Sequence, residues 1–355
     1  MPHSLPLDQH GFIRSAAVRA IGADGELRAA LARGEVERTR RGLYRAAPTR
    51  HAEQMTAAER ARLAYVAKVR SVAATFHAPV FTSYSAVALL GLPIIGPWPD
   101  EVYIMSRGGH GRRRSGVVEV ARTRPFDVIE LEHLLVTTIE FTLLQLARHA
   151  PLVAALTATD AALHVPRFGG GESITTLERL RSEHERLKPY PRSRRAEAVL
   201  ARATPLADTP LESGSRLLIE ELGFAPPELQ HELWLPEIGR QAFLDFYWPD
   251  IRVGAEADGR GKYLEGNVGT GFGSASAVFD PTGVRAPNDV PRAAAAAARF
   301  AAAAVIEEKD RENAIRRQLS GFDRWDWHDL MRKHPVEARL VRLGVPRIRR
   351  PMRLI

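Results

Sequence analysis

Three acids sit in two short apolar runs, where a solvent-facing role alone does not explain them. Asp245 lies in "FLDFYW", among Phe243, Leu244, Phe246, Tyr247 and Trp248. Glu256 and Asp258 lie in "RVGAEADG", beside Val253, Ala255 and Ala257. The runs read as neighbouring antiparallel strands joined by a tight turn at Trp248-Pro249-Asp250-Ile251, since Pro suits the first central turn position and Asp the second. Side chains alternate faces along a strand, so Glu256 and Asp258 share a face and the hairpin can bring Asp245 beside Glu256. Carboxylates placed together repel. A divalent cation bridging Asp245 and Glu256 removes that cost. Mg²⁺ or Mn²⁺ accepts such oxygen ligands together with water and substrate phosphate. An ion held this way activates a water against a phosphodiester. The plainer reading is a solvated strand face with Asp245 guarding an edge.

Other elements must hold these acids in place. "TPLESGSRLLIEELGF" reads as a helix with Glu212 in its first turn and Leu217, Leu218 and Leu222 on its apolar face. "PPELQHELWLP" connects it to the strand "GRQAFLDFYW". A later helix runs through Ile306 and Ile315 to Gly321, placing Lys309, Glu312 and Arg316 on one face. "FDRWDW" reads as a closing strand, which brings Arg324 near the acids.

The front of the chain has a different character. Residues 1 to 75 carry 13 Lys and Arg against 7 Asp and Glu, so most of the formal net charge of +8 is concentrated there. A helix ends near Gly22, and a second, with Asp24 as its N-cap, runs from Gly25 to Arg33 and stops at Gly34. "VERTRRGLYR" then alternates and turns at Gly42. Helix, turn, helix and basic hairpin are the plan of a winged helix, whose second helix enters the major groove while the wing meets phosphate. Arg28, Arg33, Arg38, Arg40, Arg41 and Tyr44 are the candidate DNA-binding residues. A small helical cap with a solvated Arg edge has the same pattern. Further on, "EVYIM" and "VVEVART" read as strands joined by "SRGGHGRRRSG", a loop suited equally to touching phosphate or to being a solvated tip. Asp160 reads as a helix-face acid.

Two family resemblances rest on these residues. Gly11, Gly34, Arg40, Arg41, Gly42 and Tyr44 resemble the N-terminal domain of AbiEi-type antitoxins. The helix from Ser83 to Pro93 and the helix start from Thr138 to Thr142 resemble their central domain. Residues 205 to 330 resemble the very-short-patch-repair-like branch of the PD-(D/E)XK nucleases. The matching positions are Asp245, Phe246, Trp248, Pro249, Glu256, Asp258, Gly259, Lys262 and Tyr263, then Glu308, Lys309, Arg311, Glu312 and Ile315. The resemblance implies Asp245 and Glu256 as Mg²⁺ ligands and Glu212 as their helix partner. Asp258 stands where the superfamily carries Lys, so Lys262 or Lys309 is the implied cation. The insertion over residues 266 to 304 is longer than the branch usually has.

The expected fold is therefore a multidomain α/β chain. It has a winged helix over 1–50, an α+β central domain over 51–165 and a linker with a helical segment over 166–204. A restriction-endonuclease-like α/β/α core over 205–335 and a basic tail over 336–355 complete it. Composition agrees with large cores, at 45% hydrophobic and 26% charged over 355 residues. With no cysteine, disulfides, thiolate zinc sites and cysteine nucleophiles are excluded. "MPHSLPLDQH" has no charged-then-apolar leader, and the Ala-rich stretch is too weakly apolar to span a bilayer, so a cytoplasmic protein without membrane contact is expected. The expected function is that of a DNA-binding protein with an Mg²⁺-dependent endonuclease domain. The alternative is an AbiEi-type antitoxin or regulator, partnered by a cognate toxin, that binds DNA without cutting it.

Overall fold

The computed structural model describes residues 5–47, 55–167, 171–258 and 306–355. The fold is mixed α/β, with three sheets among the described residues. The chain divides into two compact units, Met1–Thr159 with Thr175–Ala203, and Asp160–Ile174 with Thr204–Ile355. No helix among the described residues is long and apolar enough to cross a membrane.

The first unit opens with β1 (Ile13–Arg14), α1 (Ser15–Ala20), α2 (Asp24–Ala32), β2 (Val36–Arg40) and β3 (Leu43–Ala46). The strands form an antiparallel sheet in the order β1-β3-β2. Val18, Leu27, Ala30 and Val36 close a small core, and Tyr44 packs against it. α2 ends where Gly34 takes a φ of +70°, the left-handed position that terminates helices. A capping box of Thr56 and Glu59 starts α3 (Ala57–Ala73). Phe12, Leu43 and Ala74 then form a cluster that seats the opening module on the end of α3.

Next come β4 (Val80–Phe81), α4 (Ser83–Leu89), β5 (Val102–Met105), β6 (Arg112–Arg114), β7 (Val117–Val120), β8 (Val128–Leu131) and β9 (Leu134–Thr137). They are followed by α5 (Ile139–His149) and α6 (Leu152–Leu163). The six strands form a mixed sheet in the order β6-β7-β5-β4-β9-β8, so β6 is an edge. The segment expected as a linker with a helical segment carries two helices, α7 (Leu177–Leu187) and α8 (Ser193–Leu200). Both are amphipathic and bury Leu180, Leu187, Ala196 and Val199 within the first unit. Their Arg and Glu residues mark the outer faces of packed helices, not a tether.

The second unit contains α9 (Pro210–Glu221), β10 (Glu228–Leu235), β11 (Arg240–Trp248), β12 (Val253–Ala257), α10 (306–318), β13 (Gly321–Trp325), α11 (Trp327–Arg332) and α12 (His334–Arg342). The sheet follows chain order, with β12 and β13 parallel and the other pairs antiparallel. On one face Phe246, Trp248, Val253, Ala255 and Trp325 pack with Leu218 of α9 and Leu340 of α12. On the other, Leu244 and Phe322 pack with Ala314 and Ile315 of α10. Helices thus cover the sheet on both sides. The expected tight turn is a 3₁₀ turn at Pro249–Ile251. Lys262 and the insertion over 266–304 lie outside the described residues.

The segment expected as a basic tail is ordered. Val336, Leu340 and Val345 are buried because apolar residues recur at helical spacing between the arginines. Beyond them Ile348 N donates to Gly223 O at 2.9 Å and Met352 N to Glu221 O at 2.8 Å.

Phe246 is fully buried and stacks on Trp325 with ring centroids 5.4 Å apart. Phe246→Ala is expected to destabilise the second unit by about 3–5 kcal/mol. Urea unfolding followed by tryptophan fluorescence measures this, and a cost below about 1 kcal/mol would contradict the packing described.

Candidate functional site

Glu212 owes its position to the start of α9. Thr209 is the N-cap and Pro210 takes the first helical position, where a missing N–H costs nothing. The Thr209 hydroxyl accepts from Glu212 N at 3.3 Å and donates to Glu212 Oε1 at 2.8 Å. Glu212 Oε2 accepts from Asp208 N at 3.0 Å and from Gln230 Nε2 at 2.8 Å.

Asp245 lies at a break in its own strand. β10 and β11 are in register on both sides of it, Leu229 facing Phe246 and His231 facing Leu244. Between those pairs Gln230 takes a left-handed φ of +52°. Ala242 and Leu244 pack with α10, whereas Phe246 and Trp248 pack with α9. Residues of one parity share a face in a regular strand, so the pleat of β11 is interrupted at Asp245. The β11–β12 ladder runs from Trp248–Val253 to Phe246–Ala255 and stops there. Past that point the Asp245 side chain replaces a backbone acceptor, with Ala257 N donating to Oδ2 at 2.8 Å. Oδ1 accepts from Gln230 Nε2 at 3.2 Å, so one amide nitrogen bridges Asp245 and Glu212. Burial raises the Glu212 carboxyl above its usual range. Burial, with the charge of Glu212 added, holds Asp245 well above its own.

Glu256 has a different environment. It projects toward α10, where Arg311 grips it with two parallel bonds, Nη1 to Oε1 and Nη2 to Oε2, both at 3.0 Å. Arg324 reaches Oε2 at 2.9 Å from β13, the strand paired beside Glu256. Arg311 also bonds Glu308 from Nε at 2.8 Å, and Arg324 bonds Glu308 at 2.6 Å. Asp258 and Glu312 each stand 3.6 Å from Arg324 Nη1. The neighbouring carboxylates raise the Arg311 and Arg324 guanidinium pKa values despite burial.

The structure therefore brings Glu212 and Asp245 together through Gln230, and gathers Glu256 and Asp258 around two arginines. Lys309 is exposed on α10 and makes no ion pair among the described residues. Among the described residues the cations beside the acids are arginines, and Lys262 lies outside those residues. Arg324 stands where the closing strand was expected to bring it. Arg311 was matched by motif without a role. Gln230 went unnoticed, although antiparallel pairing of "LQHELW" with "FLDFYW" sets it opposite Asp245. Asp160 is fully buried, accepting from Ser213 Oγ and Arg216 Nη2 at 2.7 Å each and from Thr204 N at 2.9 Å.

A divalent ion would enter between Glu212 and Asp245 only by displacing the Gln230 amide nitrogen or turning that amide to present its oxygen. Among the described residues no cation touches Asp245 or Glu212, and an amide hydrogen-bond donor sits between them. Glu256 does not fit as placed, because both its oxygens are engaged by guanidinium groups. Three metal-ligand atoms within 4.8 Å of one another occur, among the described residues, only at Asp326, His328 and Asp329. There Asp326 and Asp329 form the capping box of α11.

In the first unit Arg28, Arg38 and Arg41 are exposed, and Arg33 pairs with Glu35 at 2.7 Å. Tyr44 packs against the small core. Arg40 is half-buried, donating from Nη2 to Ser115 O at 2.5 Å.

No protein-family model, curated protein or solved structure matches the chain.

A carboxyl whose pKa is raised on folding keeps protons that the unfolded chain has released. Stability contributed this way falls as pH rises from the ordinary carboxylate range through the raised values. Glu212→Gln keeps an acceptor for Asp208 N and Gln230 while removing the charge beside Asp245. It is expected to stabilise the protein near about pH 7, with the advantage shrinking toward about pH 4. Denaturant melts across that range test this, and a pH-independent difference would contradict it.

Proposed function

We propose that the chain is a DNA-binding protein whose second unit carries a metal-dependent, restriction-endonuclease-like centre for phosphodiester hydrolysis, targeted by an N-terminal winged helix. The observation that supports this most is the buried Glu212–Asp245 pair, brought from a helix and a strand onto one amide nitrogen of Gln230. Asp245 feels the negative charge of both glutamates there, and among the described residues no guanidinium touches it. Asp245 and Glu212 would hold Mg²⁺ or Mn²⁺ once the Gln230 amide gives way, and the ion would supply a polarised water and neutralise phosphate charge. Arg311 and Arg324 orient Glu256 and supply the positive charge that Lys supplies elsewhere in the superfamily. Arg stays protonated and so serves as an electrostatic stabiliser, not a base. In the first unit the two short helices, the following hairpin and the exposed Arg28, Arg38 and Arg41 support the DNA-binding half of the reading.

The clamp on Glu256 favours a second reading, a regulator of the AbiEi antitoxin kind that binds DNA and does not cut. Plasmid nicking with Mg²⁺ or Mn²⁺, run beside a gel shift on the same samples, separates the two. The nuclease reading expects nicking that Asp245→Asn and Glu256→Gln abolish while DNA binding persists. Binding without nicking in all three proteins moves the assignment to the regulator. Absence of salt-sensitive binding removes both.

A further inference from the structure

The Arg-rich segment between β5 and β7 has no part in the centre described above. In the structure it forms β6, whose three residues Arg112, Arg113 and Arg114 expose 60%, 70% and 50% of their side chains. β6 pairs with β7 on one side and is the edge of its sheet on the other. Charged side chains guard an edge strand against pairing, and here all three residues of the edge strand are arginines.

Their bonding leaves the chemistry of the guanidinium groups available. Arg112 and Arg114 both use Nε on one carboxylate, that of buried Glu119, at 3.0 Å each. Two cations share one anion, and their terminal amino groups are not spent on it. Glu119 also holds both side chains in place, so little ordering entropy remains to be lost when an anion binds. Arg113, on the opposite face, touches half-buried Glu101 through Nη1 at 2.9 Å.

The hairpin is joined to the N-terminal module. Arg40 of β2 donates from Nη2 to Ser115 O, in the turn between β6 and β7, and among the described residues its Nη1 has no hydrogen-bond partner. The module itself is tied to the end of α3 by Arg14 Nη2 on Ala74 O and by the Phe12–Leu43–Ala74 cluster. Arg38, Arg40 and the β6 arginines therefore belong to one compact unit.

We propose that the β6–β7 hairpin is a second phosphate-contacting element, extending the DNA-binding face of the first unit beyond α2 and the β2–β3 hairpin. The proposal rests on the DNA-binding reading. Guanidinium groups with free terminal amines bind phosphate bidentately, and phosphate contacts add affinity and register without base preference.

Fluorescence anisotropy of a short labelled DNA duplex, titrated from about 50 to 200 mM salt, tests this. The wild type is compared with the triple variant Arg112→Gln, Arg113→Gln, Arg114→Gln, and with Arg38→Gln, Arg41→Gln. A third variant, Arg113→Gln alone, leaves the Glu119 pairs intact and covers the case in which the triple variant does not fold. The slope of log K against log salt is expected to flatten by roughly 2–3 in the triple variant and about 1 in Arg113→Gln, with affinity at least about 10-fold weaker in the triple variant at mid-range salt. Unchanged slopes in folded hairpin variants, with a flattened slope in the Arg38–Arg41 variant, overturn the hairpin and leave the DNA-binding reading standing. A wild type without salt-dependent binding overturns both.

Discussion

A carboxylate withdrawn from water beside another carboxylate is a costly arrangement, and the second unit is organised around one. Continuing the β11–β12 register past Phe246 and Ala255 would set Asp245 opposite Glu256 on the α10 side. The left-handed Gln230 and the interrupted pleat of β11 instead turn Asp245 to Glu212, while leaving its backbone in register. The same break ends the β11–β12 ladder and leaves Ala257 N to be satisfied by a side chain. Each of these local departures from regular sheet is compensated by a hydrogen bond to one of the two acids.

Charge is balanced unevenly across the sheet. On the α10 side Arg311 and Arg324 face Glu256, Glu308, Glu312 and Asp258, so the acids keep a small excess but each lies near a guanidinium. On the α9 side Glu212 and Asp245 are served by neutral donors alone among the described residues. Planar, bidentate Arg311 can serve Glu256 and Glu308 at once, which the point charge of a lysine on the same helix would do poorly. That asymmetry leaves Glu212 and Asp245 held by hydrogen bonds and Glu256 held by ion pairs.

The order Glu212, Asp245, Glu256 was legible because helix-start and strand-period signals are local. The two-helix-and-hairpin opening was legible for the same reason, although Ala23, not Asp24, occupies the N-cap of α2. Gln230 was not legible, since no propensity marks a glutamine for left-handed backbone. The Arg311 clamp was not, because a motif match does not say which acid an arginine grips across the sheet. Residues 166–204 and 336–355 misled through composition. The first was expected to hold one helical segment and holds two packed helices, and the second, expected as a basic tail, buries apolar residues at helical spacing. Asp160 shows the converse: a solitary acid on an Ala-rich helix is buried because Thr204, Ser213 and Arg216 come to meet it.

The far end of α9 is fastened as firmly as the end bearing Glu212. Gly223 has a φ of +80°, and a Cβ there would lie 2.2 Å from Arg349 O, so the chain crosses the helix terminus with no spare room. Glu221 receives Leu354 N and Ile355 N on one oxygen and Lys333 on the other. Twelve helical residues span about 18 Å, and over that length a helix behaves as a stiff rod. Its aim at the acidic centre is therefore set partly by the bracket at the opposite end. A side chain added at Gly223, though remote from every carboxylate in the centre, would act on Glu212 as a displaced pivot acts on the tip of a lever.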